Sequence, residues 1–335
     1  MNFVQQDRRF GSGTNLALLK RGFFSERALL YPFDRYDPRW FVNDWAIEHR
    51  FQTINPSDVS IQLRNKFFLH LLLRELGYGD RTAPLVGVLT DGRFSSFSPY
   101  RKLGDAIAAH GGVMAKPIAG ASGLGVVRLG ADDPVPPRGM FVVEGVLRQH
   151  AYAAAVFSGS VNTIRVVTMR LGDKEPFIPA AAHRFGGKKS APVDNFGRGG
   201  VSALVDLETG ELSSGRSKLH VHASTFHPVH PDTGVAVKGT TVPMWDEVKA
   251  FALELMMAIP GLQIAGWDIC VTPDGPRLIE GNGGVPSADL IQVHRPMLLD
   301  RRTREFFRAK RVISQQHFDE LERMAAAGLE RSDLG

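Results

Sequence analysis

Asp268, Glu280 and Asn282, carried in the run GWDICVTPDGPRLIEGNGG, are the residues whose types and spacing most directly promise chemistry. Residues 264–271 predict a strand, Pro273-Asp274-Gly275 a tight turn, and Arg277–Glu280 the returning strand. A hairpin symmetric about Asp274 sets Asp268 opposite Glu280, and strand alternation then sends both, with Asn282, to one face. A single bulge would spoil that register. Two like charges facing each other across a ladder repel unless a cation lies between them. Three hard oxygen ligands, with room for water and phosphate oxygens, suit Mg2+. The competing reading is a solvated hairpin edge with scattered acids, since acids are common beside turns.

A second stretch, VMAKPIAGASGLGVVRL at residues 113–129, carries Lys116 on a strand into a loop with Gly120, Gly123 and Gly125. Small residues let backbone N–H groups approach phosphate oxygens, and a lysine adds a point charge. The spacing is neither that of a Walker A loop nor that of a dinucleotide fingerprint, and a plain glycine-rich hairpin is the alternative. Arg165 lies within the apolar strand predicted at 161–171, sharing a face with Thr163. An arginine there must meet an anion: a bound phosphate, or an acid of the protein in a buried salt bridge. In VDNFGRGGVSA, Asn195, Arg198, Gly199 and Gly200 offer amides and a guanidinium to developing negative charge. His183, a lone histidine, reads as structural.

These groups must be positioned by elements of mixed type. Residues 1–57 hold aromatics, arginines and X-Pro steps without a βαβ rhythm, and predict short helices and loops. Residues 58–76 predict one helix bearing Lys66, with Ile61, Phe68, Leu72 and Leu76 at helical spacing, Asp58 or Ser60 as cap and Gly77 at its end. Short strands at 84–89 and 93–96, a helix at 102–110, strands at 140–146 and 177–184, a helix at 243–258 and an amphipathic helix at 302–328 complete the pattern. The class is α+β with hairpin-connected strands rather than a wound parallel sheet. Expected divisions are 1–57, 58–111, 112–150 with the glycine loop, 151–300 with the metal ligands, and 301–335.

The chain has 335 residues, 43% hydrophobic and 22% charged, enough for a large core and two or three subdomains. The lone cysteine, Cys270, excludes a disulfide framework. No signal-peptide stretch opens the chain and no run of apolar residues is long enough to span a bilayer, so a cytoplasmic protein is expected. The net charge of +5 suits an anionic small ligand. The basic run from Arg301 to Arg311 reads as one solvated helix face, with Phe306, Phe307 and Val312 inward. Aromatics are not interleaved there as RNA binding requires.

In this order Lys66, the Lys116 glycine loop, a strand ending Glu144-Gly-Val146, and Asp268…Glu280-x-Asn282 resemble the ATP-grasp superfamily. More narrowly, SVNTIRVVTMRL, the HPDTG at 230–234 and GWDICVTPDGPRLIEGN resemble the sugar-transfer-associated ATP-grasp family, related to teichuronopeptide biosynthesis proteins, over residues 60–300. The resemblance implies two α+β subdomains clasping ATP. Lys66 and Lys116 would hold its phosphates, with Gly120, Ser122, Gly123 and Gly125 in the loop closing over them. Glu144 and Val146 would read adenine, Gln149 or His150 would reach the ribose, and Asp268, Glu280 and Asn282 would bind one or two Mg2+, with Mn2+ able to replace it. Arg165, Asn195 and Arg198 fall to catalysis. Residues 1–57 depart from the superfamily's N-terminal α/β domain.

The implied reaction is ligation of a carboxylate to an amine through an acyl phosphate, on a sugar acid or a cell-surface polysaccharide precursor, with small-molecule substrates and glycan-assembly enzymes as partners. A kinase acting on a hydroxyl, or a non-catalytic ATP-binding component of a glycan-assembly complex, are the alternatives.

Overall fold

The computed structural model describes residues 3–7, 13–120, 123–218, 226–284 and 288–330. The N-terminal stretch forms α1 (Phe3–Asp7), α2 (Leu16–Lys20), α3 (Arg27–Leu30) and α4 (Asp44–His49). Asn15 and Asn43 cap α2 and α4 by accepting from the Leu18 and Ala46 amides. Its aromatics decide its place. Trp40, Phe41 and Phe51 are buried in one core with Met297, Leu298, Phe306 and Phe307, so the segment around them is bound into the body of the fold.

The single helix predicted over 58–76 is two: α5 (Ser57–Arg64) and α6 (Lys66–Glu75). Asn65 leaves the helical region (φ −87°, ψ 103°), and its side chain caps α6 by accepting from the Phe68 amide at 3.0 Å. Pro56, rather than Asp58 or Ser60, stands at the start of α5. The residues whose spacing announces the helix, Ile61, Phe68 and Leu76, are 49, 51 and 37% exposed. Burial falls instead to Leu63, Lys66, Leu69 and Leu73. The break re-phases the helix so that Lys66 faces inward. Asn65→Ala should cost about 1 kcal/mol in thermal unfolding; an unchanged Tm would mean that packing alone sets the break.

The smaller sheet comprises β1 (Leu85–Thr90), β2 (Arg93–Ser96), β3 (Val113–Pro117), β4 (Val127–Leu129) and β5 (Met140–Gly145), in the order β2-β1-β5-β3-β4, with α7 (Leu103–His110) packed on it. After α8 (Ala151–Val156) the larger sheet begins with β6 (Ile164–Met169), β7 (Phe177–Phe185), β8 (Val201–Val205), β9 (Gly215–Arg216) and β10 (Phe226–His227). The helix α9 (Trp245–Ala258) and the hairpin β11 (Ile264–Thr272) and β12 (Gly275–Asn282) complete it, in the order β10-β9-β8-β7-β6-β11-β12. All pairings between these strands are antiparallel, as the α+β expectation requires. The predicted terminal helix is also two, α11 (Arg301–Ala309) and α12 (Gln315–Ala326), after the short α10 (Ala288–Gln292).

One face of the larger sheet, with Ile164, Val166, Trp267 and Ile269, packs on α5, α6, α8 and α9. The other face, with Val167, Met169, Ala180, Ala182 and Ile264, lies under the N-terminal helices and α10–α12. Alternation puts Arg165, Arg184 and Asp268 on this second face, where its apolar cover stops. There the cavity opens between the two sheets.

Candidate active site

Asp268 does face Glu280 across the ladder, by another route than symmetry about Asp274. Thr272 pairs with Gly275, so the turn holds only Pro273 and Asp274, and perfect symmetry would oppose Asp268 to Ile279. A bulge between Asp268 and Ile269 skips Ile279 and brings Glu280 into place. The bulge makes the pairing.

What lies beside Asp268 is an arginine rather than an open cation site. Arg165 is its partner on β6, with Nε 2.5 Å from Oδ1 and Nη2 3.1 Å from Oδ2. Arg184, from β7, places Nη2 2.9 Å from the same Oδ2 and 3.3 Å from Asp194 Oδ1. Asp194 in turn accepts from Thr163 N and Oγ1, at 2.9 and 2.6 Å. Burial alone would raise the Asp268 carboxyl, but Arg165 and Arg184 outweigh it and hold it below the usual range. Burial of Asp194 prevails over its arginine, and that carboxyl is raised. Two neighbouring acids are thus pushed apart.

The lysines are held in the same way. Lys116, on β3, pairs with Glu144 on β5, 2.5 Å from its Oε2. His70 Nε2 sits 2.8 Å from Glu144 Oε1. Burial would raise Glu144; Lys116 and His70 together bring it down to about 2. One turn before His70 on α6, Lys66 donates to the Gly120 carbonyl at 3.1 Å and lies 3.4 Å from Glu280 Oε1. Because α6 packs in the core of the larger sheet, Lys66 and His70 tie that sheet to the glycine loop and to the smaller sheet.

These groups, His70 excepted, wall a cavity of about 1510 Å³. Among the described candidate residues Gly125, Arg198, Gly199 and Gly200 lie off its wall. Arg198 is exposed, displaced outward on a short 3-10 turn, and Arg184 supplies the second guanidinium instead. Ser122 lies outside the described residues. Gly120 and Gly123 take φ of +157° and +67°, a backbone that suits glycine. The Glu144 carboxylate, expected to accept from adenine, is turned to Lys116 and His70. Gln149 donates to Phe157 O and Ser160 O and accepts from Asn162 N and Nδ2, which uses its whole amide. His150 caps α8 through Nδ1 and lines the cavity. Val146 and Asn195 also line it.

Arg184, Asp194 and His70 were not singled out by sequence. For Arg184 a signal existed, since it interrupts the apolar run AAAHRF as Arg165 interrupts its own strand. His183 is structural, its Nε2 2.7 Å from Tyr152 OH and its ring stacked on Phe185 at 4.1 Å, and burial lowers its pKa to about 3. The HPDTG motif braces the loop after β7: His230 Nε2 bonds Gly186 O, and Asp232 accepts from Lys188 N.

A divalent cation fits the remaining donors. Glu280, with its side chain 26% exposed, and Asn282, whose Oδ1 accepts no hydrogen bond from the described residues, stand two apart on β12 and both line the cavity. Three of the roughly four lone-pair directions of Asp268 are taken by guanidinium N–H groups. Among the described residues no three acids, histidines or cysteines converge on one point. Such a sparse hard-oxygen set suits Mg2+, which keeps water and takes phosphate oxygens to complete its shell.

The family model of the sugar-transfer associated ATP-grasp proteins matches residues 130–306, more than half of the chain. No curated protein matches. D-alanyl-alanine synthetase A from Vibrio cholerae is similar over 76% of this chain and 66% of its own, at 13% identity and a TM-score of 0.46. For D-alanine-D-alanine ligase from Coxiella burnetii the shares are 82 and 64%, with 12% identity and a TM-score of 0.42. For N5-carboxyaminoimidazole synthase from Aspergillus clavatus they are 73 and 54%, with 13% and 0.41. The chain spans between about half and two thirds of the length of these structures. Two antiparallel sheets about a cleft, the matched strands β6 to β12 and the motifs they carry agree on one conclusion: the chain belongs to the sugar-transfer associated ATP-grasp family, and its fold is ATP-grasp.

Proposed function

We propose that the protein is an ATP-dependent carboxylate–amine ligase, acting in the cytoplasm on a sugar acid or polysaccharide precursor. The observation that carries this reading is the pairing around one cavity of Lys66 with Glu280, Lys116 with Glu144, Arg165 with Asp268 and Arg184 with Asp194. Phosphoryl transfer asks mainly for positioned charge, and here four cations are held in register by carboxylates before any nucleotide arrives.

Lys66 and Lys116 receive the phosphates, and residues 112–150 close the glycine loop over them. Val146 and Glu144 lie along the adenine side, and His150 rather than Gln149 reaches the ribose. Glu280 and Asn282, with the remaining lone pair of Asp268, hold Mg2+, which supplies charge neutralisation at the transferring phosphoryl group. The substrate carboxylate attacks the γ-phosphorus as the bond to ADP breaks. The amine then attacks the carbonyl carbon and expels phosphate, leaving an amide. Arg184, whose Nη1 has no partner among the described residues, meets the charge that develops on the transferring group, with Asn195 beside it. Arg165 positions Asp268.

The test is ADP release by the purified protein with ATP and Mg2+ across a matrix of sugar acids, amino acids and peptides. Release that needs both an acid and an amine, with an amide product, is the expected result. A phosphorylated alcohol would establish a kinase, and nucleotide binding without turnover on any pair would establish a non-catalytic component; either overturns the ligase.

A further inference from the structure

The basic run at the C-terminus divides in two once folded. Its first half is accounted for within the protein: Arg301 and Arg304 pair with Glu322, Arg304 also donates to the Leu298 and Leu299 carbonyls, and Arg302 lies over the Phe177 ring. The second half is not. Arg308 and Arg311, with Arg50 from the end of α4, line a separate concavity of about 490 Å³ and have no carboxylate within ion-pair distance among the described residues.

We propose that this concavity, between α4 and the α11–α12 turn, binds the phosphate group of a small phosphorylated ligand. Three guanidiniums drawn from two distant chain segments line this one concavity with no carboxylate in ion-pair range, and an entering anion relieves their solvent-screened repulsion. Helix C-termini favour each arginine singly, by less than about 1 kcal/mol, but do not explain why they meet. Arg311 occupies the position after α11 with φ +56°, a left-handed site where glycine is usual and any other side chain carries a cost.

The walls are set in advance. Arg50 lies over the Trp45 ring at 5.3 Å, and the Trp45 ring stacks on His49 at 5.1 Å. The guanidiniums define the ligand. Arg308 lies over Phe318 at 4.8 Å and donates to Gln315 Oε1 at 3.0 Å. Gln315 in turn donates to Asp319, so an amide separates Arg308 from that acid. Val312 and Ile313 form a buried apolar floor that accepts the non-phosphate part of the ligand. Guanidinium forks match phosphate oxygens pairwise.

Trp45, 42% exposed, is the only exposed tryptophan in the protein, Trp40, Trp245 and Trp267 being buried, and it reports on this site. Titration of the full chain with glycerol phosphate, followed by tryptophan fluorescence, should give a saturable change at or below millimolar concentration. The change should vanish in Trp45→Phe, and the affinity should weaken about tenfold or more in Arg308→Gln and Arg311→Gln, each checked for an unchanged Tm. A parallel arm with phosphatidic acid vesicles separates a lipid headgroup from a free organophosphate, and a response in either arm supports the site. No saturable response in either arm, or responses unchanged by both arginine substitutions, would overturn it.

Discussion

Asp268→Asn should lower stability by about 3–5 kcal/mol, because it leaves Arg165 buried against a neutral amide and Arg184 with Asp194 alone. Glu280→Gln should cost less than this, because Glu280 is 26% exposed, its contact to Lys66 is longer at 3.4 Å, and Lys66 keeps its hydrogen bond to the Gly120 carbonyl. Its effect falls on turnover, which should drop on the order of a hundredfold or more as a charged metal donor is lost. Two carboxylates that face each other across one ladder thus separate into one that chiefly holds the site together and one that chiefly works in it. Denaturant unfolding and Mg2+-dependent ADP release on both variants check this. An Asp268→Asn protein as stable as the parent, or a Glu280→Gln protein as active, contradicts it.

Glu144→Gln should be comparably costly, again about 3–5 kcal/mol, since Lys116 is buried and has no other acid within reach among the described residues. The sign of its pH dependence follows from the depressed carboxyl. A group whose folded pKa lies at about 2, below its ordinary value, stabilises the fold above that ordinary value and loses the contribution as pH falls through about 2. The parent should therefore keep this stabilisation throughout the neutral range and lose it on the acid side. In Glu144→Gln that acid-dependent part should disappear from a series of unfolding curves. His70→Leu acts through the same carboxylate: the KM for ATP should rise with little change in kcat, because Lys116 is less well placed while the chemistry is untouched. A variant with unaltered KM would show that Glu144 orients Lys116 alone.

How far the sequence went differs from residue to residue, for physical reasons. Symmetry about Asp274 opposes Asp268 to Glu280, but the pairing holds only because two departures cancel: the turn closes on Pro273-Asp274 alone, and a bulge at Ile279, which left no mark in residue type, restores the register. Arg165 was legible as a buried charge in an apolar strand; whether its anion would be a phosphate or Asp268 depended on a register between strands a hundred residues apart. The break at Asn65 was masked by good helix formers on both sides, although asparagine is a favoured N-cap. His70 gave no signal, since a histidine on a helix says nothing of the strand it will face. The burial of Trp40 and Phe51 under α11 and α12 rests on long-range contacts that no local pattern encodes.

The central claim is that these residues activate a carboxylate by phosphorylating it. Heavy-oxygen label in both carboxylate oxygens of the acid that elicits ADP release tests this most directly, with the liberated phosphate read by phosphorus NMR. The account predicts that one labelled oxygen passes from the acid to each phosphate released as the amide forms. Phosphate that never carries the label, alongside full product formation, would contradict it.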